Sequence, residues 1–202
     1  MVIPKNLSEK GYQLVKGLGN GGQSHTYIIE KDGVQMLLKQ PSSSKLSREQ
    51  RFRFHQEAEA LQILDGQGAP KVLDYEFEDD EAYILMELIV GKTLGDFVNG
   101  KPLKQEIALD ILGKLVKIIS KIHEIGMQHR DIKPDNIIVH ENGDVYLIDF
   151  GLCRIDSNVK DYKTPPDKEL GNRFLRLPEL GKGEKVSSSV SDITFLTGLF
   201  FI

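Results

Sequence analysis

The chain has little cysteine, little excess charge and no long apolar run, and each shortage excludes something. Cys153 is the lone cysteine among 202 residues. An intrachain disulfide is therefore excluded, and a reducing, cytoplasmic compartment fits. Such a cysteine reads as a small buried hydrophobe before it reads as a redox centre. The net charge is −4 and the pI is near 5.8, which gives no electrostatic reason to expect nucleic-acid binding. Met1-Val2-Ile3-Pro4-Lys5 carries no apolar run of signal-peptide length. The most apolar stretch, Ile193 to Ile202, is too short to span a bilayer. There are no repeats, and Pro41-Ser42-Ser43-Ser44 and Ser187-Ser188-Ser189 read as loops. What remains is 40% hydrophobic and 28% charged, an ordinary globular mixture long enough for one domain or two small lobes.

Chemistry concentrates in His129-Arg130-Asp131-Ile132-Lys133-Pro134-Asp135-Asn136 and, shortly after it, Asp149-Phe150-Gly151. Between them Ile137 to His140 and Val145 to Ile148 are β-rich runs around Asn142-Gly143, the dipeptide of a two-residue hairpin turn with both central residues at positive φ. Such a turn sets Glu141 opposite Asp144 and, counting outward, Asn136 opposite Asp149. Opposed residues of antiparallel strands lie roughly 4.5–5.5 Å apart at Cα. An amide oxygen and a carboxylate then meet, a pair suited to a hard divalent ion that already carries a phosphate group.

These two motifs resemble the catalytic loop and magnesium motif of the protein kinase catalytic domain, serine/threonine type. The resemblance implies an α+β, bilobal fold: a small antiparallel β lobe with one helix, and a mainly helical larger lobe. It implies ATP and Mg2+ as cofactors and a protein substrate with a Ser/Thr hydroxyl. By the same resemblance Asp131 is the catalytic base, Asn136 and Asp149 are the metal ligands, and Lys133 neutralises the phosphate being transferred. His129 and Phe150, with Leu61, match the family's hydrophobic spine, so His129 is expected to be packed rather than catalytic. Residues 1–89 read as the nucleotide-binding lobe and hinge, and 90–202 as the catalytic lobe.

In the first lobe, strands over Tyr12 to Leu18 and His25 to Glu30 flank Gly19-Asn20-Gly21-Gly22-Gln23-Ser24. A glycine-rich turn leaves backbone N–H groups able to cover phosphates. Two registers fit the kinase loop: Gly17-x-Gly19-x-x-Gly22, and Leu18-Gly19-x-Gly21-x-x-Ser24-x-Thr26-Tyr27. The second is preferred because it sets Thr26-Tyr27 where the family has Val-Tyr, at the cost of Ser24 for the third glycine. A two-residue Asp32-Gly33 turn pairs Lys31 with Val34 and so Thr26 with Lys39. Lys39 matches the family's phosphate-binding lysine; without the other motifs it would be a surface lysine ending a strand. Leu37, on the face of Lys39, stands where the family has alanine over the adenine, and narrows that slot. A helix over Arg48 to Leu64 carries Phe54, Glu57, Ala58 and Leu61 as one stripe. A carboxylate in that stripe needs a partner, and the family supplies Lys39; otherwise Glu57 is an edge residue. Glu59 reads as solvated. Val72 to Phe77 and Ala82 to Leu88 complete the sheet. Met86-Glu87-Leu88-Ile89 resembles the hinge: backbone groups of Glu87 and Ile89 for adenine, Met86 at the back of the pocket or simply in the core. Ile138 joins Leu18, Thr26 and Leu37 as an expected nucleotide contact under the resemblance.

In the second lobe Ile107 to Ile125 reads as an amphipathic helix with Ile111, Leu115, Ile118 and Ile122 on one face. Asp149 to Glu179 resembles an activation segment, with Ser157, Tyr162 and Thr164 as candidate sites for a phosphate that Arg130 could grip. Asp192 matches the aspartate that opens the family's central buried helix and braces the catalytic loop. The apolar run to Ile202 demands burial on all sides. The covering helices would follow it, so the larger lobe is expected to be incomplete, truncated within that helix, with a partner as a possible cover. Two alternatives stand beside the kinase: a pseudokinase acting as a regulatory scaffold, favoured by Ser24 and Leu37, and a small-molecule kinase.

Overall fold

The computed structural model describes residues 3–20, 24–43, 46–78, 81–155 and 189–199. They form two compact units, one of Met1–Gly66 with Pro70–Leu88 and one of Gln67–Ala69 with Ile89–Ile202. The assignment of Gln67–Ala69 to the second unit was not anticipated from the sequence.

The first unit is a five-stranded antiparallel sheet, ordered β1 (Gln13–Asn20), β2 (Ser24–Lys31), β3 (Val34–Pro41), β5 (Tyr83–Glu87), β4 (Val72–Glu76). Its register turns on Asp32-Gly33. Both residues lie at positive φ, 53° and 76°, as a two-residue turn that follows strand twist requires. Lys31 therefore pairs with Val34 and Thr26 with Lys39, as counted from the sequence. Alternation then sorts the faces. Tyr27, Ile29, Met36, Leu38, Tyr83 and Leu85 form one buried cluster, whereas Lys39 points to the other face and meets α2 (Arg48–Leu64).

The helix α2 starts at a capping box. Ser47 Oγ accepts from Gln50 N–H at 3.2 Å, and Gln50 Oε1 accepts from Ser47 N–H at 2.9 Å, so two otherwise orphaned donors are satisfied. It ends where Asp65 takes the left-handed conformation. Its buried residues include Phe54, Glu57, Ala58 and Leu61, while Glu59 is half-buried rather than solvated.

The expectation of one helix in this unit is corrected. A short helix, α1 (Lys5–Glu9), precedes the sheet, and its Leu7 is fully buried in the cluster of Tyr27 and Leu38. Gly11, at φ 88°, lets the chain close the helix: Tyr12 N–H bonds Leu7 O at 3.1 Å and Gly11 N–H bonds Ser8 O at 3.0 Å, the paired bonds of a Schellman motif. Pro4 at its start and Gly11 past its end were the legible signals.

In the second unit β6 (Lys92–Thr93), β8 (Ile137–Val139) and β9 (Val145–Leu147) form a small sheet, and β7 (Met127–Gln128) pairs with β10 (Arg154–Ile155). The helices are α3 (Leu94–Val98), α4 (Gln105–Glu124) and α5 (Ser189–Gly198). The buried face of α4 is Ile111, Leu115, Ile119 and Ile122. Ile119 replaces the expected Ile118, which is half-buried and lies where a side chain on Gly68 would have to go. Helix α5 buries Ser191, Asp192, Phe195 and Leu196 but leaves Val190 and Ile193 exposed, so burial on all sides is not met within its described residues. Phe200, Phe201 and Ile202, and the expected activation segment from residue 156 onward with Ser157, Tyr162, Thr164 and Glu179, lie outside the described residues. Among the described residues no helix is long and apolar enough to cross a membrane.

The approach of Gly91 to β8 gives a sharp test. A Cβ there would lie 2.5 Å from Val139 O and 2.7 Å from Ile138 Cγ2, and a backbone oxygen inside a ladder has little room to yield. Gly91→Ala is expected to cost about 2–3 kcal/mol in urea unfolding. Gly113→Ala, in α4 with nothing within 4 Å, should instead be neutral or stabilising by up to about 1 kcal/mol.

Candidate active site

The two units each carry a set of the predicted residues. In the first, Lys39 Nζ lies 2.6 Å from Glu57 Oε1, with both side chains largely withdrawn from water. The strand β3 supplies the lysine and the apolar stripe of α2 supplies the carboxylate. Neither charge is stable there alone, so each justifies the other. Thr26 is the cross-strand partner of Lys39, and Gly19 pairs with Thr26 from β1. Leu18 is exposed; Gly19 and Asn20 close β1 and Ser24 opens β2. Gly21, Gly22 and Gln23 lie outside the described residues. Leu37 is half-buried and paired with Met86, which is buried. The N–H of Glu87 is taken by Lys71 O at 2.8 Å, so Glu87 offers a carbonyl rather than a donor to any ligand. Ile89 is half-buried and begins the long stretch of the second unit.

In the second unit α4 and β7 deliver the chain to His129. Asp131 is buried. Its Oδ2 accepts from Lys133 Nζ at 2.7 Å and from Asn136 Nδ2 at 2.9 Å. Its Oδ1 is buried and has no hydrogen-bond partner among the described residues. A buried carboxylate oxygen without a donor is costly and is suited to accept a proton-bearing group that arrives later. The Asn136 amide also donates to Asp131 O at 2.9 Å. Both bonds fix its nitrogen toward Asp131 and turn Oδ1 elsewhere, leaving a neutral oxygen ligand of the kind a hard cation takes.

The expected pairing of Asn136 with Asp149 is corrected. Ile137 pairs with Leu147 and Val139 with Val145. Ile148 N–H bonds Asn136 O at 2.8 Å, so Ile148 stands opposite Asn136. The turn holds three residues, not two. Gly143 takes φ 87°, and Asn142 is absent from the left-handed residues. Instead, Asn142 Oδ1 accepts the Asp144 N–H at 2.8 Å. Asp149 follows one residue beyond the pairing, at φ 62°. Ile138 is half-buried on β8.

His129 is fully buried. Its Nε2 lies 3.2 Å from Ile148 O, its Nδ1 accepts the Asp131 N–H at 3.3 Å, and its ring meets Phe150 edge-on at 4.6 Å. One nitrogen donates and the other accepts, so the ring is the neutral tautomer with hydrogen on Nε2. Burial, the largest influence, pushes its pKa down, consistent with that state and with a packed role.

Arg130 occupies the left-handed region at φ 67°, a conformation that costs of order 1 kcal/mol or more for a non-glycine residue. Asp192 holds it. Asp192 Oδ1 accepts the Arg130 N–H at 2.7 Å, and Oδ2 accepts the His129 N–H at 2.9 Å. His123 Nε2 lies 2.9 Å from the same Oδ2. His123 was missed in the sequence; its position in the last turn of an amphipathic helix marked it only as a favourable partner for the helix dipole.

Burial alone would raise the Asp192 carboxyl pKa. The His123 hydrogen bond and the N–H donors of Arg130 and His129 outweigh it and hold the group below the ordinary 3.8. A folded value below the unfolded one means a contribution fully present above the unfolded value and lost as pH falls through the folded one. Asp192→Asn is therefore expected to lose about 2–4 kcal/mol at neutral pH. In denaturant melts at stepped pH, the gap to wild type should close only below pH 3.8.

Residues 12–195 match the family described as protein kinase domain. Matched along the whole of its length, the chain is 31% identical to the serine/threonine-protein kinase PrkC of Bacillus subtilis, covering 31% of that protein. A probable serine/threonine-protein kinase of Clostridium perfringens is 34% identical over 90% of the chain and 27% of its own length. The serine/threonine-protein kinase PknB of Mycolicibacterium smegmatis is 30% identical over 93% of the chain and 31% of its own length. The chain thus spans about a third or less of the length of these three curated relatives. With a match running from Tyr12 to Phe195, the chain belongs to the protein kinase domain family.

Proposed function

We propose that the chain is the ATP-dependent catalytic segment of a protein serine/threonine kinase. The observation that carries this reading is the divided Asp131 carboxylate: Oδ2 held by Lys133 and Asn136, Oδ1 without a hydrogen-bond partner among the described residues. A substrate hydroxyl donating to Oδ1 would be aligned as its oxygen attacks the γ-phosphorus. The bond from that phosphorus to the β,γ-bridging oxygen breaks, ADP leaves, and the hydroxyl proton passes to Asp131. Lys133, already on Asp131 Oδ2, brings positive charge to the side where phosphoryl charge develops.

Lys39, fixed by Glu57, is the residue we assign to the α- and β-phosphates. The backbone of Gly19 to Ser24 would cover the phosphates. In the first unit Leu18, Leu37 and Met86 would give adenine apolar contact, and the Glu87 carbonyl would be its polar partner. Magnesium, when bound through the Asn136 amide oxygen and the Asp149 carboxylate, would offset phosphate charge. One amide, one carboxylate and substrate phosphates are a fitting donor set for that ion. The serine/threonine class is supported by Lys133 and by the names of the relatives.

The presence of the Lys39–Glu57 pair and of an open Asp131 oxygen favours an active enzyme over a scaffold. Asp131→Asn is expected to lower phosphate transfer from radiolabelled ATP to a generic protein substrate by about 100-fold or more, with nucleotide affinity within a few-fold of wild type. Transfer retained at wild-type rate would end the assignment. Equal binding with no transfer in either protein would favour the scaffold.

A further inference from the structure

The helix α1 lies before the first residue of the family match, Tyr12, yet it completes the first unit. Leu7 is fully buried against the sheet face formed by Tyr27, Ile29, Met36, Leu38, Tyr83 and Leu85, with Ile3 and Tyr12 packed beside it. A polar latch runs along its edge. Asn6 Nδ2 donates to the Tyr83 hydroxyl at 3.1 Å, and that hydroxyl donates to Asp74 Oδ2 at 3.0 Å. Lys10 Nζ reaches the same Asp74 oxygen at 3.1 Å, and the Lys5 N–H bonds Glu81 at 2.9 Å. The latch thus joins α1 to both β4 and β5. Burial, followed by Asp74, pushes the Tyr83 hydroxyl up to about 12, so it remains a donor throughout the working pH range.

What α1 covers is the back of the strand that presents Lys39. Leu38 is fully buried in the Leu7 cluster, and Lys39, the next residue, projects from the other face to Glu57. The register of β3 is continuous on both sides of this point, paired with β2 through Tyr27–Leu38 and with β5 through Leu38–Leu85. Close-packed layers pass a displacement on one face to the other. A gap behind Leu38 therefore shifts the base of the Lys39 side chain.

We propose that α1 is a positioning element for ATP: Leu7 and the Asn6–Tyr83–Asp74–Lys10 latch set the depth of β3 and thereby where Lys39 meets the phosphates. This rests on the assignment of Lys39 made above. It makes the segment preceding the family match part of the nucleotide-binding machinery rather than a tether.

The test measures KM for ATP, KM for a protein substrate and equilibrium affinity for a fluorescent ATP analogue with magnesium, on the whole chain, well below the melting temperature. Leu7→Ala is expected to raise the ATP KM and the analogue Kd by about 5–10-fold, with the protein-substrate KM within about 2-fold. Leu7→Met, which refills the space, should restore both. A merely structural helix would lower the melting temperature and the active fraction and leave the ATP KM unchanged, and that result overturns the proposal. Should Leu7→Ala fail to fold, the double variant Asn6→Ala with Lys10→Ala loosens the latch without opening the core. A rise of about 2-fold or more in analogue Kd supports the proposal, and no change overturns it. The ratio of variant to wild type reads this inference, whereas wild-type transfer activity reads the kinase assignment. A wild-type chain that binds no ATP overturns both.

Discussion

The second unit is organised by one buried carboxylate, that of Asp192. A fully buried carboxylate is tolerated only when donors saturate it. Here His129 N–H, Arg130 N–H and His123 Nε2 do so, at 2.9, 2.7 and 2.9 Å. In return the carboxylate holds a backbone that local forces would not hold. Arg130 is left-handed, and the next residue is the buried Asp131. The two backbone bonds reach across 62 and 63 residues of chain, so the loop acquires its shape only when α5 is in place. The His129–Asp131 loop is a tertiary structure, not a turn with a preference of its own.

The first unit uses the same device with a cation as the partner. Glu57 is buried because it sits in the apolar stripe of α2, and Lys39 is largely buried because β3 is covered on both faces. Pairing them at 2.6 Å fixes a helix to a strand at one point. Such a pair adds little net stability compared with apolar residues of the same shape. Its consequence is positional: arrangements that separate the two charges are disfavoured. Saturation is not general among the described residues: Asp131 Oδ1, Asn6 Oδ1, His25 Nδ1 and Ser191 Oγ are buried without a hydrogen-bond partner.

How much of this was legible depended on whether side chains intervened in local rules. The α2 boundaries followed from the apolar stripe, while the Ser47 capping box and the left-handed Asp65 that fix its ends appear only in the structure. The Asp32-Gly33 hairpin followed from its dipeptide, since nothing nearby competes with the two-residue turn. Asn142-Gly143 carries the same signal and gives a different loop. There Asn142 Oδ1 accepts the Asp144 N–H, Asn142 Nδ2 donates to Asp144 Oδ2, and His140 Nδ1 contacts the Asn142 amide. Lys114 Nζ also binds Gly143 O at 2.7 Å. These bonds favour the longer turn, and only Gly143 is left to take positive φ. The helix α1 escaped notice because a single Leu7 cannot make a periodic stripe, and its burial is decided by strands that come later. The role of His123 was out of reach for the same reason: its partner is 69 residues away.

The extra turn residue changes what must bring Asn136 and Asp149 together. With Ile148 opposite Asn136, a regular strand would send the Asp149 side chain to the other face, because a one-residue shift reverses alternation. The ladder, however, ends at the Ile148 N–H bond, and Asp149 leaves extended geometry for φ 62°. Aspartate is among the few non-glycine residues that tolerate this region. Any cation shared by the two side chains therefore depends on the backbone reversal at Asp149 rather than on strand register. Arg130 takes the same left-handed region, at φ 67°, directly before Asp131.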